Sequence, residues 1–508
     1  MELDRDTRAR AVTRVQRPLA PEVHRALVAQ QASLIPSGAR DAHLAALRAG
    51  AAAVVTGQQV GLFLGPLYTL YKAASAIVLA RVLAAETGTP VVPMFWLQTE
   101  DHDVVEIASC GVAAGATCET VAVPADRENR ISIAHLTLPD EIDHALATLG
   151  ELLGAGADAS AHLERLRRHY RRGASWSGAF AGVIAELFAP EGLVVVDPRD
   201  PALAAAVAPV HARALDDAPR IASALLARCA ELERAGQSIQ VHVRAGAPLA
   251  FFHPDGALGP RVRLEPRGPG PGNALGEVGG DRVHDRRALH AALAADPRTF
   301  STSALLRPII QDTLLPTVAY VGGPGELAYF AQLGPLYEAF DLAPPLVIRR
   351  ASIRIVDDRS RKQLDRLGLT AADCMGRGEA ELLARVRGPE TAAAGSRLLE
   401  PFVAAHDQLA ATLGSANPAI TRALARTRAS VERSVARFAA KLERITAYED
   451  AELVDSVRRL RAWLAPDGQP QERTLGLPCF AARGGDRALV ERVLAAIDPF
   501  DPTLQELP

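Results

Sequence analysis

Short apolar runs closed by glycine or an acid alternate with longer mixed segments along the first 350 residues, the pattern of buried strands and covering helices. Residues 5 to 50 read as two helices punctuated by Pro18, Pro21 and Pro36, with Gly38 and Gly50 at their ends. Ala51–Thr56 is short, apolar and closed by glycine, and predicts a buried strand. Gly57–Pro66 is a loop, and Leu67–Thr87 has the apolar density and length of a helix that stops at Gly88. Thr89–Leu97 predicts a second buried strand, although Pro93 argues against a central hydrogen-bonded place for that residue. Strand, helix, strand in this order is a βαβ unit with parallel strands. Asp140–Phe188 and Pro201–Ala235 read as helical, and Gly192–Asp197 as a third strand ending in an acid.

Gln240–Arg244, Leu249–His253 and Arg261–Glu265 predict short antiparallel strands, with Pro254-Asp255-Gly256 as a turn. Pro266–Gly280, rich in Gly and Pro, is expected to be a mobile loop. Thr317–Val321, Gly322–Gly325 and Glu326–Phe340 return to strand, turn and helix. From Ala371 the chain is helical and charged. Val431, Val435, Phe438, Leu442 and Ile445, then Leu453, Val457, Leu460 and Leu464, form a heptad seam broken around Tyr448–Ala451. That seam predicts a long helical hairpin or coiled coil, an element that commonly serves in dimerisation. The expected organisation is an α/β core over residues 1–370, with connecting insertions at about 131–190 and 240–300. A helical coiled-coil domain over 371–468 follows, and a tail over 469–508 packs back on the core.

Composition narrows the class. The 508 residues exceed one compact core, so two or three domains are expected. Apolar content of 48% and charged content of 23% are those of a soluble globular protein. The net charge of −3 lacks the basic excess of a nucleic-acid binder. The first residues are charged, with no apolar signal region, and no run of 18 apolar residues occurs, so neither export nor a membrane span is expected. The five cysteines are scattered with no Cys-x-x-Cys pair. Neither a disulfide framework nor a zinc ribbon is indicated, and a reducing cytoplasm fits.

Three clusters carry candidate chemistry. The first is Thr56-Gly57-Gln58-Gln59 with Gly61, Gly65, Tyr68 and Lys72, where strand hands over to helix. Ligands bind at such edges, helix N-termini favour anions, and Lys72 stands one turn in, where it could meet a phosphate or carboxylate. The spacing is not that of a Walker A loop. The bland alternative is a glycine-rich turn with surface glutamines. The second is Trp96 with Glu100-Asp101-His102-Asp103, acids around a histidine that suit acid/base work or the holding of an amine. Its alternatives are a helix N-cap or a hard-cation site such as Mg²⁺; for zinc, no second His or Cys stands at ligand spacing, and no metal is assigned. The third is Arg307 with Gln311-Asp312, then Tyr320, Gly322, Gly323, Glu326, Tyr329 and Gln332. Arg307 offers a fork for a carboxylate or phosphate, and Glu326 a partner for an ammonium; alternatively Arg307 and Asp312 pair structurally and Glu326 caps a helix.

Together these motifs resemble one family. Thr56-Gly57-Gln58-Gln59, Gly61-Leu62-Phe63, Gly65-Pro66-Leu67-Tyr68, Glu100-Asp101-His102-Asp103, Leu306-Arg307-Pro308, Gln311-Asp312, Pro316–Glu326, Gln471-Glu472-Arg473 and Asp498–Pro502 are similar to BshC, the cysteine-adding enzymes of bacillithiol biosynthesis. The resemblance spans nearly the whole chain. It implies a Rossmann-like core, a C-terminal coiled coil that pairs two subunits, and a ligase that condenses cysteine with glucosaminyl-malate. It also implies ATP or a similar nucleotide donor, because amide formation needs an activated carboxylate. The first loop is similar to the nucleotide-binding turn of class I synthetase-like enzymes, without their signature histidines. Beside the resemblance, the expected convergence of the three loops on one sheet edge suggests roles: Gln58, Gln59 and Lys72 bind the sugar-acid or phosphate end, Glu100, Asp101 and Asp103 hold the amine, His102 moves a proton and Arg307 clamps a carboxylate. Two other readings stay open: a ligase or transferase with another small acceptor, and a non-catalytic nucleotide-binding scaffold working through its coiled coil.

Overall fold

The computed structural model describes residues 4–126, 128, 130–267, 274–387, 390–413 and 418–508. They form two compact units, one of Met1–Val112, Thr120–Ile353 and Leu475–Leu507, the other of Ala113–Glu119 and Arg354–Thr474. Ten strands build the two sheets of the first unit: β1 (Ala52–Gln58), β2 (Val91–Leu97), β3 (Val194–Val196), β4 (Ala250–Phe252), β5 (Val262–Pro266), β6 (Ala274–Glu277), β7 (Val283–Asp285), β8 (Phe300–Thr302), β9 (Thr317–Gly322) and β10 (Leu346–Arg349). The main sheet is parallel in the order β10-β9-β1-β2-β3. The chain therefore builds outward from β1 to β3, then returns to the other side of β1. That reversal is the topological switch point at which open parallel sheets bind ligands.

Both faces of the sheet are covered, which is why its strands are continuous apolar runs. Ala53, Val55, Val92, Met94, Val194 and Val196 pack into one core; Ala52, Val54, Val91, Val318 and Val321 pack into the other, with Ala76, Leu79, Ala80 and Leu83 of helix α1 (Tyr68–Thr87). By length and composition α1 could cross a membrane, but 67% of its apolar window is buried within this protein. Pro93 lies in register with Val54 inside β2. Pairing with β3 begins only at Met94, so the strand has one neighbour where the proline cannot donate.

The second sheet, β8-β4-β5-β6-β7, is antiparallel and lies within the 240–300 insertion. Two expectations are corrected there. Gln240–Arg244 is irregular, because the Gln332 side chain accepts from the Val241 amide (3.3 Å) and donates to its carbonyl (3.0 Å), taking the place of a partner strand. Ala274–Glu277, expected in a loop, is a strand between β5 and β7; residues 268–273 of that segment lie outside the described residues. Glu326–Phe340 is likewise not one helix. Gly334 and Pro335 restart it as Gly334–Ala339, after Pro324–Phe330.

The main segment of the second unit runs from Arg354 and includes the helix Asp358–Leu367. That helix lays Leu364 inward, and Gln363 and Arg366 donate to Ser456 at 3.1 and 2.9 Å. Glu390–Leu413 and Pro418–Ala447 are long helices that pack against each other. Val431, Val435 and Leu442 are half-buried there, Phe438 is 52% exposed, and the Ile445 side chain lies outside the described residues. The break in the seam is real: Asp450 caps the next helix, Ala451–Leu464, by accepting from the Leu453 amide. Val457, Leu460 and Leu464 of that helix are core residues.

Candidate active site

In the main sheet Thr56 is in register with Val321, Gly57 with Trp96 and Gly322 with Arg349. The loops that follow β1, β2 and β9 therefore leave the carboxyl edge side by side. Thr56 Oγ1 donates to the Val321 carbonyl (2.8 Å) and ties two of these strands at that edge.

The loop after β1 turns through Phe63 and Leu64, both at positive φ (53° and 74°), and Gly65 at 64°. A Cβ on Gly61 would stand 2.8 Å from Gly65 Cα. Such a backbone persists only where its surroundings over-determine it. Tyr170 does so, its hydroxyl donating to the Gly61 carbonyl and accepting from the Leu64 amide, both at 3.3 Å. Trp176 Nε1, at the start of helix α2 (Trp176–Leu187), donates to the Val60 carbonyl at 2.7 Å. Residues 60–65 are buried, so the glycines of this loop serve a packed turn and not the ligand cradle expected of them.

Lys72 is the second correction. Its ammonium is 3% exposed and pairs with Glu326, the Gly57 carbonyl (2.7 Å) and Gln58 Oε1 (2.9 Å). An ammonium has three protons, and all three have partners, so none is left for a phosphate. Gln58 is drawn into the same network, its Nε2 donating one of its two protons to the Tyr68 hydroxyl at 3.1 Å. Glu326 also accepts from the Tyr320 hydroxyl (2.5 Å) and the Gly323 amide (2.8 Å), closing the first turn of α4 (Pro324–Phe330). Burial pushes the Lys72 ammonium down while Glu326 opposes it. Burial also pushes Glu326 up, but Lys72, Tyr320 and Gly323 outweigh it and hold the carboxyl below its ordinary range.

Helix α3 (Arg307–Leu314) precedes β9, so its first residue lies at the same edge. Arg307, 6% exposed, rests over the Tyr320 ring at 4.9 Å and donates to Gln311 Oε1 (2.8 Å) and the Tyr329 hydroxyl (3.3 Å). Behind it Gln311 donates to Asp312 (2.8 Å), which also accepts from Tyr337 (2.6 Å). Burial pushes Asp312 up to about 6, although Tyr337, Gln311 and Arg307 pull the other way. Gln311, Asp312, Tyr320 and Tyr329 thus hold Arg307, and Gln332 is engaged with the backbone of Val241.

The loop after β2 carries the acids. Asp101 accepts from Gln59 Nε2 (2.8 Å), the His102 amide (2.7 Å) and Arg261 Nη2. Burial pushes its carboxyl up, but His102, Arg261 and Gln59 outweigh that and leave it well below the usual carboxylate range. Gln59 Oε1 is shielded from solvent with no partner among the described residues. Glu100 accepts from the Thr302 hydroxyl and amide. Asp103 is exposed and caps the short helix Val104–Ile107, accepting from the Glu106 amide at 3.2 Å.

These loops enclose a cavity of about 260 Å³ lined by Trp96, Gln98, Glu100, Asp101, Phe251, Arg261, Thr302, Ser303 and Arg307, among others. A neighbouring cavity of about 450 Å³, lined in part by His242, Arg244 and Arg263, shares Phe251, Ser303 and Ala304 with it. Sequence reasoning missed Arg261, Phe251 and Thr302. They come from the second sheet, and the one available signal was an arginine opening a strand that proves buried at that position. Among the described residues no three His, Cys, Asp or Glu side chains converge as a metal-ligand set.

A family model described as Bacillithiol biosynthesis BshC, N-terminal Rossmann-like domain, matches residues 5–351. The chain belongs to the BshC family. The BshC C-terminal coiled-coil domain matches residues 353–505, so the two family domains meet where the first compact unit gives way to the second. BshC relatives from Koribacter versatilis and Salinibacter ruber are each 38% identical, over 333 and 322 residues, and carry the name "Putative cysteine ligase BshC". The matches cover 65% and 63% of this chain and 60% and 57% of those relatives, so the chain spans about three fifths of their length. A BshC relative of the same name from Chlorobaculum tepidum is 31% identical over 84% of this chain and 77% of its own.

Proposed function

We propose that this BshC family member is a ligase that joins the carboxyl group of L-cysteine to the amine of glucosaminyl-malate, giving bacillithiol. The observation that carries this reading is one cavity in which two buried guanidiniums, Arg261 and Arg307, stand beside two carboxylates, Glu100 and Asp101. Amide synthesis brings a carboxylate and an ammonium together, and such a wall offers a counter-charge to each. Arg307 takes the substrate carboxylate with the N–H groups not used by Gln311 and Tyr329. Glu100 takes the ammonium. The relatives' names support the ligase class.

The carboxylate needs activation, for which the energy donor in this reading is ATP or a related nucleotide. The loop after β1 does not fit its phosphates, because Lys72 is fully paired and residues 60–65 are buried. No step is therefore assigned through that loop. In the same reading a second copy of the chain docks along the two long helices, where Leu398, Leu409 and Phe438 are exposed.

The test is incubation with cysteine, glucosaminyl-malate and ATP, followed by mass analysis of thiols. The expected result is a new thiol of the condensed mass. Its absence from well-folded protein sinks the reading. Arg307→Lys keeps the charge and loses the fork, and is expected to lower kcat/KM by about tenfold to a hundredfold.

A further inference from the structure

His102 has a side chain 34% exposed, beside the cavity, and its Nδ1 faces two competing partners. Arg261 Nε stands 2.9 Å from it and Arg261 Nη2 2.8 Å. Asp101 Oδ1 stands farther off, at 3.3 Å. The two partners demand opposite things of the ring. A carboxylate needs a proton on Nδ1, whereas a guanidinium only donates and needs Nδ1 bare. The nearer partner is also the less mobile one. Arg261 is 7% exposed, lies over the Phe251 ring at 4.2 Å and spends Nη2 on Asp101 as well. Asp101 is already satisfied by Arg261, Gln59 and the His102 amide. A ring turned over would set Cδ2, which accepts nothing, against both donors. An imidazolium would set N–H against N–H and add a cation beside a buried one.

We propose that Arg261 is a positioning residue that fixes His102 as a neutral ring with its only proton on Nε2, making His102 a hydrogen-bond donor to substrate and not a base. The partner of a histidine's first nitrogen sets what its second can do. Nε2 has no partner among the described residues and is the atom left to meet a ligand. This replaces the proton-moving role expected of His102 from the sequence. The donor role rests on the ligase reading above; the tautomer does not. In that reaction the Nε2–H would stabilise the negative charge that gathers on the carboxyl oxygen as the amine adds.

The experiment is long-range ¹H–¹⁵N correlation of the full chain labelled with [¹⁵N]histidine, with the His102 signals identified by their loss in His102→Gln. The expected pattern is a neutral ring with Nδ1 unprotonated and Nε2 protonated, unchanged in Asp101→Asn and lost in Arg261→Met. A proton on Nδ1, an imidazolium pattern, a change in Asp101→Asn or no change in a folded Arg261→Met overturns the assignment. If Arg261→Met does not fold, the wild-type and Asp101→Asn spectra decide alone. For turnover, His102→Gln, whose amide can donate from about the same place, is expected within about tenfold of wild type, and His102→Ala about a hundredfold down. Equal losses overturn the donor role. The expected spectrum from wild-type protein that forms no thiol product refutes the ligase reading and leaves the Arg261 assignment standing.

Discussion

The carboxyl edge of the main sheet holds two charged groups of similar composition and opposite condition. Around Lys72 and Glu326 every ammonium proton and both carboxylate oxygens are engaged by protein, and the group is closed. Around Arg261, Arg307, Glu100 and Asp101 the side chains are also held by neighbours, but they line a cavity of about 260 Å³. The first group joins residues of the loops after β1 and β9. Charge at a strand end is therefore no guide to chemistry until its hydrogen-bond capacity has been counted. The buried ion pair is spent within the protein, and the arginines that line the cavity are the working surface only in the proposed reading.

The contrast can be broken most directly at Lys72. Lys72→Met strands Glu326 without its cation and is expected to cost about 3–5 kcal/mol in denaturant unfolding, with Lys72→Met/Glu326→Leu recovering much of it. A single variant as stable as wild type but inactive would move Lys72 to the working surface. A smaller effect is expected behind Arg307. The Asp312 carboxyl is raised in the fold from its ordinary value of 3.8 to about 6. Between those values the folded state holds more protons than the unfolded one, so stability falls as pH rises through the window, by up to about 3 kcal/mol. Asp312→Asn is expected to flatten that slope in unfolding curves taken from pH 4 to pH 7. An unchanged slope would show that Arg307 is held without a protonatable backing. Asp103→Ala is the mildest test. Loss of its cap is expected to cost about 1 kcal/mol and leave turnover nearly unchanged. A large loss of turnover at constant stability would return Asp103 to the chemistry.

The strands at 51–56, 89–97, 192–197 and 317–321 were legible because a doubly covered parallel strand must be apolar on both sides, and that shows in a short window of sequence. The three loops were legible as neighbours because they end such strands. The division of labour within them was not. Lys72 and Arg307 both read as free cations beside glycines, and only their partners, Glu326 on one side and an open cavity on the other, separate them. Arg261 stood 159 residues from the histidine it contacts, in a segment read only as a short strand. Gln332 and Val241 are a similar case, since a side-chain amide standing in for a β-strand leaves no periodicity to see.

By itself the sequence determined the α/β class, the edge at which the candidate site lies, the broken heptad pattern and the resemblance to BshC, all properties of local pattern or of long motifs. Tertiary structure alone decided which charged side chains are spent and which face a cavity, and which insertion supplies the second arginine. It also decided the nitrogen on which His102 carries its proton. The physical reason is that hydrogen-bond capacity is settled between residues far apart along the chain, and a pattern read along the chain carries no record of those partners.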